Sequence, residues 1–323
     1  MIRLGDIFKR YTGFLRDLKV VYVINNWLNA DKLKHNKALY KKYGVRKSIF
    51  SNIGQKDLPK DLTDIPWIDQ PNAKENVQNH PDFQSFDQQM QAKILDFIDN
   101  GYLIIKGFYD QEQVDQLNQT VDDLIEDNQV GFNFSGKKIM NAHLTAPNID
   151  AHFKQEKLLK LMSFLLGKKV LPFQSINFIE GSEQRAHSDS IHMTTAPEGY
   201  LTATWTALEP CHKGNGPLFY YPKSHRIPFV SCEDYETGHS KFLLGKNSYP
   251  NYENYMDDLI QKNQLKKEFF FANTGDVLIW HSNLLHGGSG ITQEGTTRKS
   301  IVCHYYAEGV ICYHELTQRP ALI

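Results

Sequence analysis

The stretch Gly275-Asp276-Val277-Leu278-Ile279-Trp280-His281-Ser282-Asn283-Leu284-Leu285-His286-Gly287-Gly288 decides how the second half of this chain folds. Val277–Trp280 is a short apolar run opened by a Gly-Asp turn signal and closed by polar residues, the pattern of a strand rather than a helix. Five more short runs lie at 169–180, 200–208, 217–222, 267–273 and 298–306, divided by turn clusters. Several short strands without long helices between them predict an all-β sandwich or barrel. His281 closes the strand, whereas His286 stands before Gly287-Gly288, at a rim where the backbone can turn inward.

Upstream the texture is helical. Ile7, Phe8, Tyr11, Phe14, Leu15 and Leu18 recur every three or four residues, so residues 1–49 read as amphipathic helix. Residues 51–85 are rich in Pro, Asn, Gln and Asp and read as an irregular linker. A helix is expected from Asp87 to Asn100-Gly101, then a strand at Tyr102, then a helix capped by Asp110 and carrying Val114, Leu117, Val121 and Leu124. The expected division is a basic helical arm and linker at 1–85 and a β-rich domain at 86–323. Within the latter, a Tyr- and Asn-rich insertion at about 231–265 has a helical piece near Tyr255–Ile260 and the character of a lid.

Arg185-Ala-His187-Ser-Asp189-Ser-Ile-His192 supplies an imidazole and a carboxylate two residues apart, which on a strand share a face. A second imidazole from the 275–288 stretch would complete a set of two histidines and one carboxylate, leaving one side of the ion open. That geometry suits non-haem Fe(II), which must take up a cosubstrate and O2 together. His281 and His286 compete for the third position, with His286 favoured. Twelve residues beyond His286, Arg298 and Ser300 fall at alternate positions of the expected last strand. A guanidinium fork with a hydroxyl beside it suits capture of a carboxylate. 2-Oxoglutarate offers one at its far end while its 2-oxo acid end chelates iron. His192, His212, His225 and His304 read as non-ligands.

These pieces, in order, resemble the phytanoyl-CoA dioxygenase family. The similarity runs from about residue 93 to 306, through Phe97-Ile-Asp-Asn-Gly101-Tyr, the Asp110 turn, His187-Ser-Asp189, Trp205-Thr-Ala-Leu-Glu-Pro, Gly214-Asn215-Gly216-Pro217-Leu218, Pro222-Lys-Ser-His225, Gly275-Asp276, His286-Gly-Gly and Arg298. The resemblance implies a mainly β fold with helices (α+β): a double-stranded β-helix, or jelly-roll, core with a helical layer. It implies Fe(II) at His187, Asp189 and His286, and 2-oxoglutarate on Arg298, with Ser300 and Trp205 nearby. Asn215 and Ser224-His225 would be structural. Lys223 stands where the family commonly has glycine. Related halogenases lack the iron-binding carboxylate, so Asp189 points to hydroxylation or desaturation. The expected activity is hydroxylation of an aliphatic C–H bond in a small-molecule or lipid-like acyl substrate. A cupin-like isomerase or binding protein, which would need no Arg298, is the alternative.

Composition bounds the partners. The chain has 323 residues, 41% hydrophobic and 23% charged, with a formal net charge of −1, and so excludes nucleic acid as a bulk electrostatic partner. Residues 1–49 hold 12 Lys+Arg against 3 Asp+Glu. Contact of this arm with an anionic membrane surface is one reading; a helical layer packed on the barrel with its basic face in solvent is the favoured one. Four scattered cysteines without a CxxC pair, no apolar leader and no long apolar run lead to an expectation of a reduced, cytoplasmic protein. No signal for an oligomeric state is present.

Overall fold

The computed structural model of the chain describes residues 15–60, 62–127 and 138–323. Its helices are α1 (Lys19–Leu28), α2 (Asn36–Tyr43), α3 (Ala73–Gln78), α4 (Gln88–Asn100), α5 (Gln111–Glu126), α6 (Pro147–Phe153), α7 (Glu156–Leu166) and α8 (Ser248–Lys262). Its strands are β1 (Tyr102–Ile105), β2 (Lys138–Met140), β3 (Val170–Phe178), β4 (Thr194–Ala196), β5 (Leu201–Ala207), β6 (Leu218–Tyr220), β7 (Glu268–Phe270), β8 (Val277–His281), β9 (His286–Gly288), β10 (Ser300–Ala307), β11 (Ile311–His314) and β12 (Arg319–Pro320).

A six-stranded antiparallel sheet runs β1-β8-β5-β10-β3-β2, and two three-stranded sheets run β7-β6-β9 and β12-β11-β4. The large sheet is covered on both faces: every residue of β5, β8 and β10 is buried, including the threonines that alternate through β5 and Ser300 and His304 of β10. Val277, Ile279, Ile301, Cys303 and Tyr305 turn toward the helices α4 to α7. Leu278, Trp280, Ala203, Trp205 and Val302 turn the other way and share a core with Leu218, Tyr220 and Phe270 of the facing sheet. This is the expected jelly roll with a helical layer.

The helix signals near Asp87 and Asp110 are good ones. Asp87 caps α4 through Met90 N, and Gly101 ends it at φ 81°. Asp110 and Gln113 form a reciprocal capping box on α5. Residues 51–60 and 62–85 run in short turns and α3, yet Ile68, Ala73, Val77 and Phe83 are buried in the helical-layer core.

At the N-terminus the outcome is divided. Ile7, Phe8, Tyr11 and Phe14 lie outside the described residues. Tyr40 and Tyr43 of α2 bury against Ile311 and Tyr313, as a packed layer requires. In α1 the arrangement is inverted: Lys19 and Asn26 are buried, whereas Val20, Ile24, Trp27 and Leu28 are exposed. Specific polar contacts hold α1 down instead, with Lys19 Nζ donating to Gln318 Oε1 at 2.7 Å and Asn26 Nδ2 to the Phe50 carbonyl at 3.0 Å. No helix among the described residues is long and apolar enough to cross a membrane.

Candidate metal centre

The site is built where two distant segments meet. His187 and His286 form an isolated antiparallel bridge, with His187 N donating to His286 O at 3.0 Å and His286 N to His187 O at 2.9 Å. Gly287 permits this approach. A Cβ there would lie 2.5 Å from both the Gln184 carbonyl oxygen and Phe219 Cζ, so any side chain would force the two segments apart. The strand geometry expected for His187-Ser-Asp189 is not found. His187 occupies the single bridge, and Asp189 opens a 3-10 turn, Asp189–Ile191. The chain bends because Ser188 N is taken by Tyr252 Oη at 3.0 Å and the amides of His192 and Met193 fold back onto the Asp189 carbonyl.

The bend brings His187, Asp189 and His286 together, with one ligand atom from each within 4.8 Å of the others, and all three are buried. His187 Nδ1 lies 2.9 Å from the Arg185 carbonyl and His286 Nδ1 2.9 Å from the Leu284 carbonyl. A carbonyl can only accept, so each Nδ1 carries the proton and each Nε2 presents a lone pair. Trp280 Nε1 donates to Asp189 Oδ2 at 2.7 Å, leaving Oδ1 for another partner 3.6 Å from His286 Nε2. Two neutral imidazole nitrogens and one carboxylate oxygen, each oriented from behind, form a fitting donor set for a divalent ion. Burial, with His286 and His192 adding to it, lowers the His187 pKa to about 3. Burial alone would raise the Asp189 pKa, but attraction between the carboxylate and the rings of His286 and His304 in their protonated forms outweighs it and holds the carboxyl well below the usual range.

His281 is elsewhere. Its Nε2 lies 3.1 Å from Asp69 Oδ2, and its Nδ1 accepts from Asn283 N.

A cavity of about 350 Å³ opens from these residues and is also lined by Trp205, Arg298 and His304. Arg298 precedes β10 rather than lying in it; its amide bonds to the Ile179 carbonyl at 3.0 Å. Asn215 fastens the preceding residue by donating to the Thr297 and Pro210 carbonyls, the structural part expected of it. The Arg298 side chain is 2% exposed, its carbon Cζ is 5.6 Å from the Trp205 ring centre, and its Nε has no partner. No carboxylate among the described residues pairs with it, and burial lowers its pKa. Such a desolvated cation calls for an anion. The Ser300 hydroxyl is likewise buried without a partner.

Two cavity residues read as non-ligands from sequence face the site. His304 Nε2 is 3.6 Å from Asp189 Oδ2, and the His192 ring centre is 5.7 Å from that of His187. Strand alternation carried the His304 signal, since 300, 302 and 304 share a face of β10. The insertion also reaches the site. Its helix α8 is longer than the Tyr255–Ile260 piece expected, and Arg185 clamps it through Glu253, Asn254 and Asp257.

The sequence profile described as phytanoyl-CoA dioxygenase (PhyH) matches residues 97–300. The chain belongs to this family. Among PhyH-type relatives, a Caenorhabditis elegans protein named "Probable phytanoyl-CoA dioxygenase" is 27% identical over 134 residues, 41% of this chain and 39% of that one. A Stutzerimonas stutzeri protein named "Probable alpha-ketoglutarate-dependent hypophosphite dioxygenase" is 23% identical over 66% of this chain and 77% of its own length. The match thus spans well under half of the worm relative. The same fold is seen in the crystal structure of the non-heme alpha ketoglutarate dependent carbocyclase SnoK from nogalamycin biosynthesis, at a TM-score of 0.57 and 13% identity over 74% of this chain and 89% of that one.

Proposed function

We propose that this PhyH-family chain is an Fe(II)- and 2-oxoglutarate-dependent dioxygenase that hydroxylates an aliphatic C–H bond of a small-molecule or lipid-like acyl substrate. The observation that carries the reading is one cavity holding both a two-histidine, one-carboxylate donor set and a buried guanidinium that pairs with no carboxylate among the described residues. A cupin-like metal protein of another function has no use for the second.

His187, Asp189 and His286 would hold the iron. Arg298 would receive the far carboxylate of 2-oxoglutarate, with the Ser300 hydroxyl as a second donor and Trp205 as the flat wall beside it. Together, when bound, iron, 2-oxoglutarate and O2 supply the oxidising power, with succinate and CO2 as co-products. The protein's own part is to bind, orient and exclude water. Trp280 fixes the Asp189 carboxylate, and the Arg185 and Leu284 carbonyls fix the two imidazoles. Tyr249, donated to by Gln184 Nε2 at 2.5 Å, and Tyr252 bring the α8 insertion over the same cavity edge.

Anaerobic calorimetry tests the reading. Uptake of 2-oxoglutarate should require Fe(II), vanish in Asp189→Ala, and weaken by a factor of about 30 or more in Arg298→Gln, the loss of a charged hydrogen-bonded pair from a buried site. Uptake indifferent to both metal and Arg298 would refute it.

A further inference from the structure

A second guanidinium, half-buried, lines the cavity on a different element. Arg319 opens β12, opposite His314 of β11, and lines the same space as Arg298. Its Nε is fully enclosed and has no hydrogen-bond partner. Two residues earlier, Thr317 also lines the cavity, and its hydroxyl is likewise enclosed and unpartnered. Tyr22 of α1 packs against the guanidinium, 5.6 Å from ring centre to Cζ.

The segment is held there at some cost. Gln318 sits at φ 49°, a left-handed conformation that a non-glycine residue adopts only under constraint. Its amide bonds back to the Glu315 carbonyl, its carbonyl accepts from Ile53 N, and its side chain accepts from Lys19 Nζ. Helix α1 and the Ile53 loop therefore pin a strained turn whose two flanking side chains leave open donors in the cavity.

Charge bookkeeping sharpens the point. The charged lining residues are Lys138, Arg298, Arg319 and Asp189, one acid against three bases. Iron held by Asp189 and 2-oxoglutarate held by Arg298 would be close to neutral as a unit. Lys138 is exposed and solvated, whereas Arg319 has no acidic partner among the described residues. His314 adds no charge, since burial keeps it neutral and its Nδ1 donates to the His192 carbonyl at 2.8 Å. A guanidinium fork beside a hydroxyl matches a carboxylate or phosphate group.

We propose that Arg319, with Thr317, is the recognition site for an oxyanion carried by the primary substrate, which is therefore an acid or a phosphate ester rather than a neutral molecule. The inference rests on the dioxygenase reading, because it assigns Arg298 to 2-oxoglutarate and so leaves Arg319 for the substrate.

The test uses the full chain loaded with Zn(II), a redox-silent stand-in for Fe(II), and saturated with 2-oxoglutarate. Propionate, methyl phosphate and the neutral propionamide are then titrated by calorimetry into wild type, Arg319→Gln and Arg319→Lys, with thermal melts confirming that each is folded. Wild type should bind one oxyanion at least about tenfold more tightly than propionamide. Arg319→Gln should lose that preference and Arg319→Lys keep part of it, with 2-oxoglutarate uptake unchanged in both. Whichever oxyanion binds more tightly identifies the substrate's group as carboxylate or phosphate. Equal binding of propionamide, or unchanged oxyanion binding in Arg319→Gln, overturns the proposal. Loss of 2-oxoglutarate uptake in Arg319→Gln also overturns it, by giving Arg319 to the cosubstrate, while the dioxygenase reading stands. Absence of that uptake in wild type removes both.

Discussion

Replacing Trp280 with Phe isolates one bond at the metal centre. The indole Nε1 donates to Asp189 Oδ2 at 2.7 Å, and both residues are nearly sealed from water, at 2% and 4% exposure. Solvent therefore cannot supply a replacement donor. A hydrogen bond to a charged acceptor in such a place contributes about 1.5–3 kcal/mol. Loss of a partner that orients a metal ligand costs about 10- to 100-fold in metal affinity, which is about 1.4–2.7 kcal/mol. The two routes agree, so the Zn(II) or Fe(II) dissociation constant of Trp280→Phe should rise about 10- to 100-fold. The cavity left by the missing ring should separately lower stability by roughly 1–2 kcal/mol. Anaerobic competition against a chromophoric chelator measures the first, and urea unfolding of the metal-free protein measures the second. Trp280→Phe binding metal within about threefold of wild type, while Asp189→Ala does not bind, would refute the claim that the indole orients the carboxylate.

Other expectations concern the frame. Lys223 lies at φ 69°, where only glycine is free of strain, which is the physical meaning of its departure from the family pattern. Lys223→Gly should be neutral or stabilising by up to about 1 kcal/mol in urea unfolding, since the turn's amide bond to the Asn100 carbonyl is kept; a loss above that amount would contradict it. His152 and His225 are held neutral in the folded chain, mainly by burial, at pKa values of about 4 and about 3. The unfolded chain binds these protons near the ordinary histidine value, so their stabilisation is complete above about pH 6.5 and is lost as pH falls toward 4. The urea midpoint of the metal-free protein should drop between pH 7.5 and 5, and His152→Phe should flatten part of that slope. An unchanged midpoint would show that both imidazoles are accommodated as cations.

Much of the frame was legible because it is written in local periodicity. Asp87, Gly101 and Asp110 announced the ends of α4 and the start of α5, since capping satisfies backbone groups with side chains two or three residues away. The short strand-like runs at β3, β5, β8 and β10, divided by turn clusters, announced a β sandwich or barrel. Less was legible where short elements borrow stability from neighbours. β4, β9, β11 and β12 are two to four residues long and exist through their cross-strand partners. Helix α1 misled for the opposite reason, because its apolar stripe faces out and its buried contacts are polar.

By itself, the sequence determined the residue types of the centre: two imidazoles, one carboxylate, a guanidinium and the glycines that follow His286. Tertiary structure decided which of them meet. The resemblance points to His286 over His281; the structure sets His286 on a backbone bridge with His187, whereas the ring of His281 is committed to Asp69. Only folding turns His304 toward Asp189, and only folding sets Thr317 and Arg319 on the wall of the same cavity with Tyr22 packed against the guanidinium. The reason is physical. Local pattern reports the free energy of elements a few residues long, whereas a site is made of contacts whose partners lie in other elements and whose geometry exists only once those elements have packed.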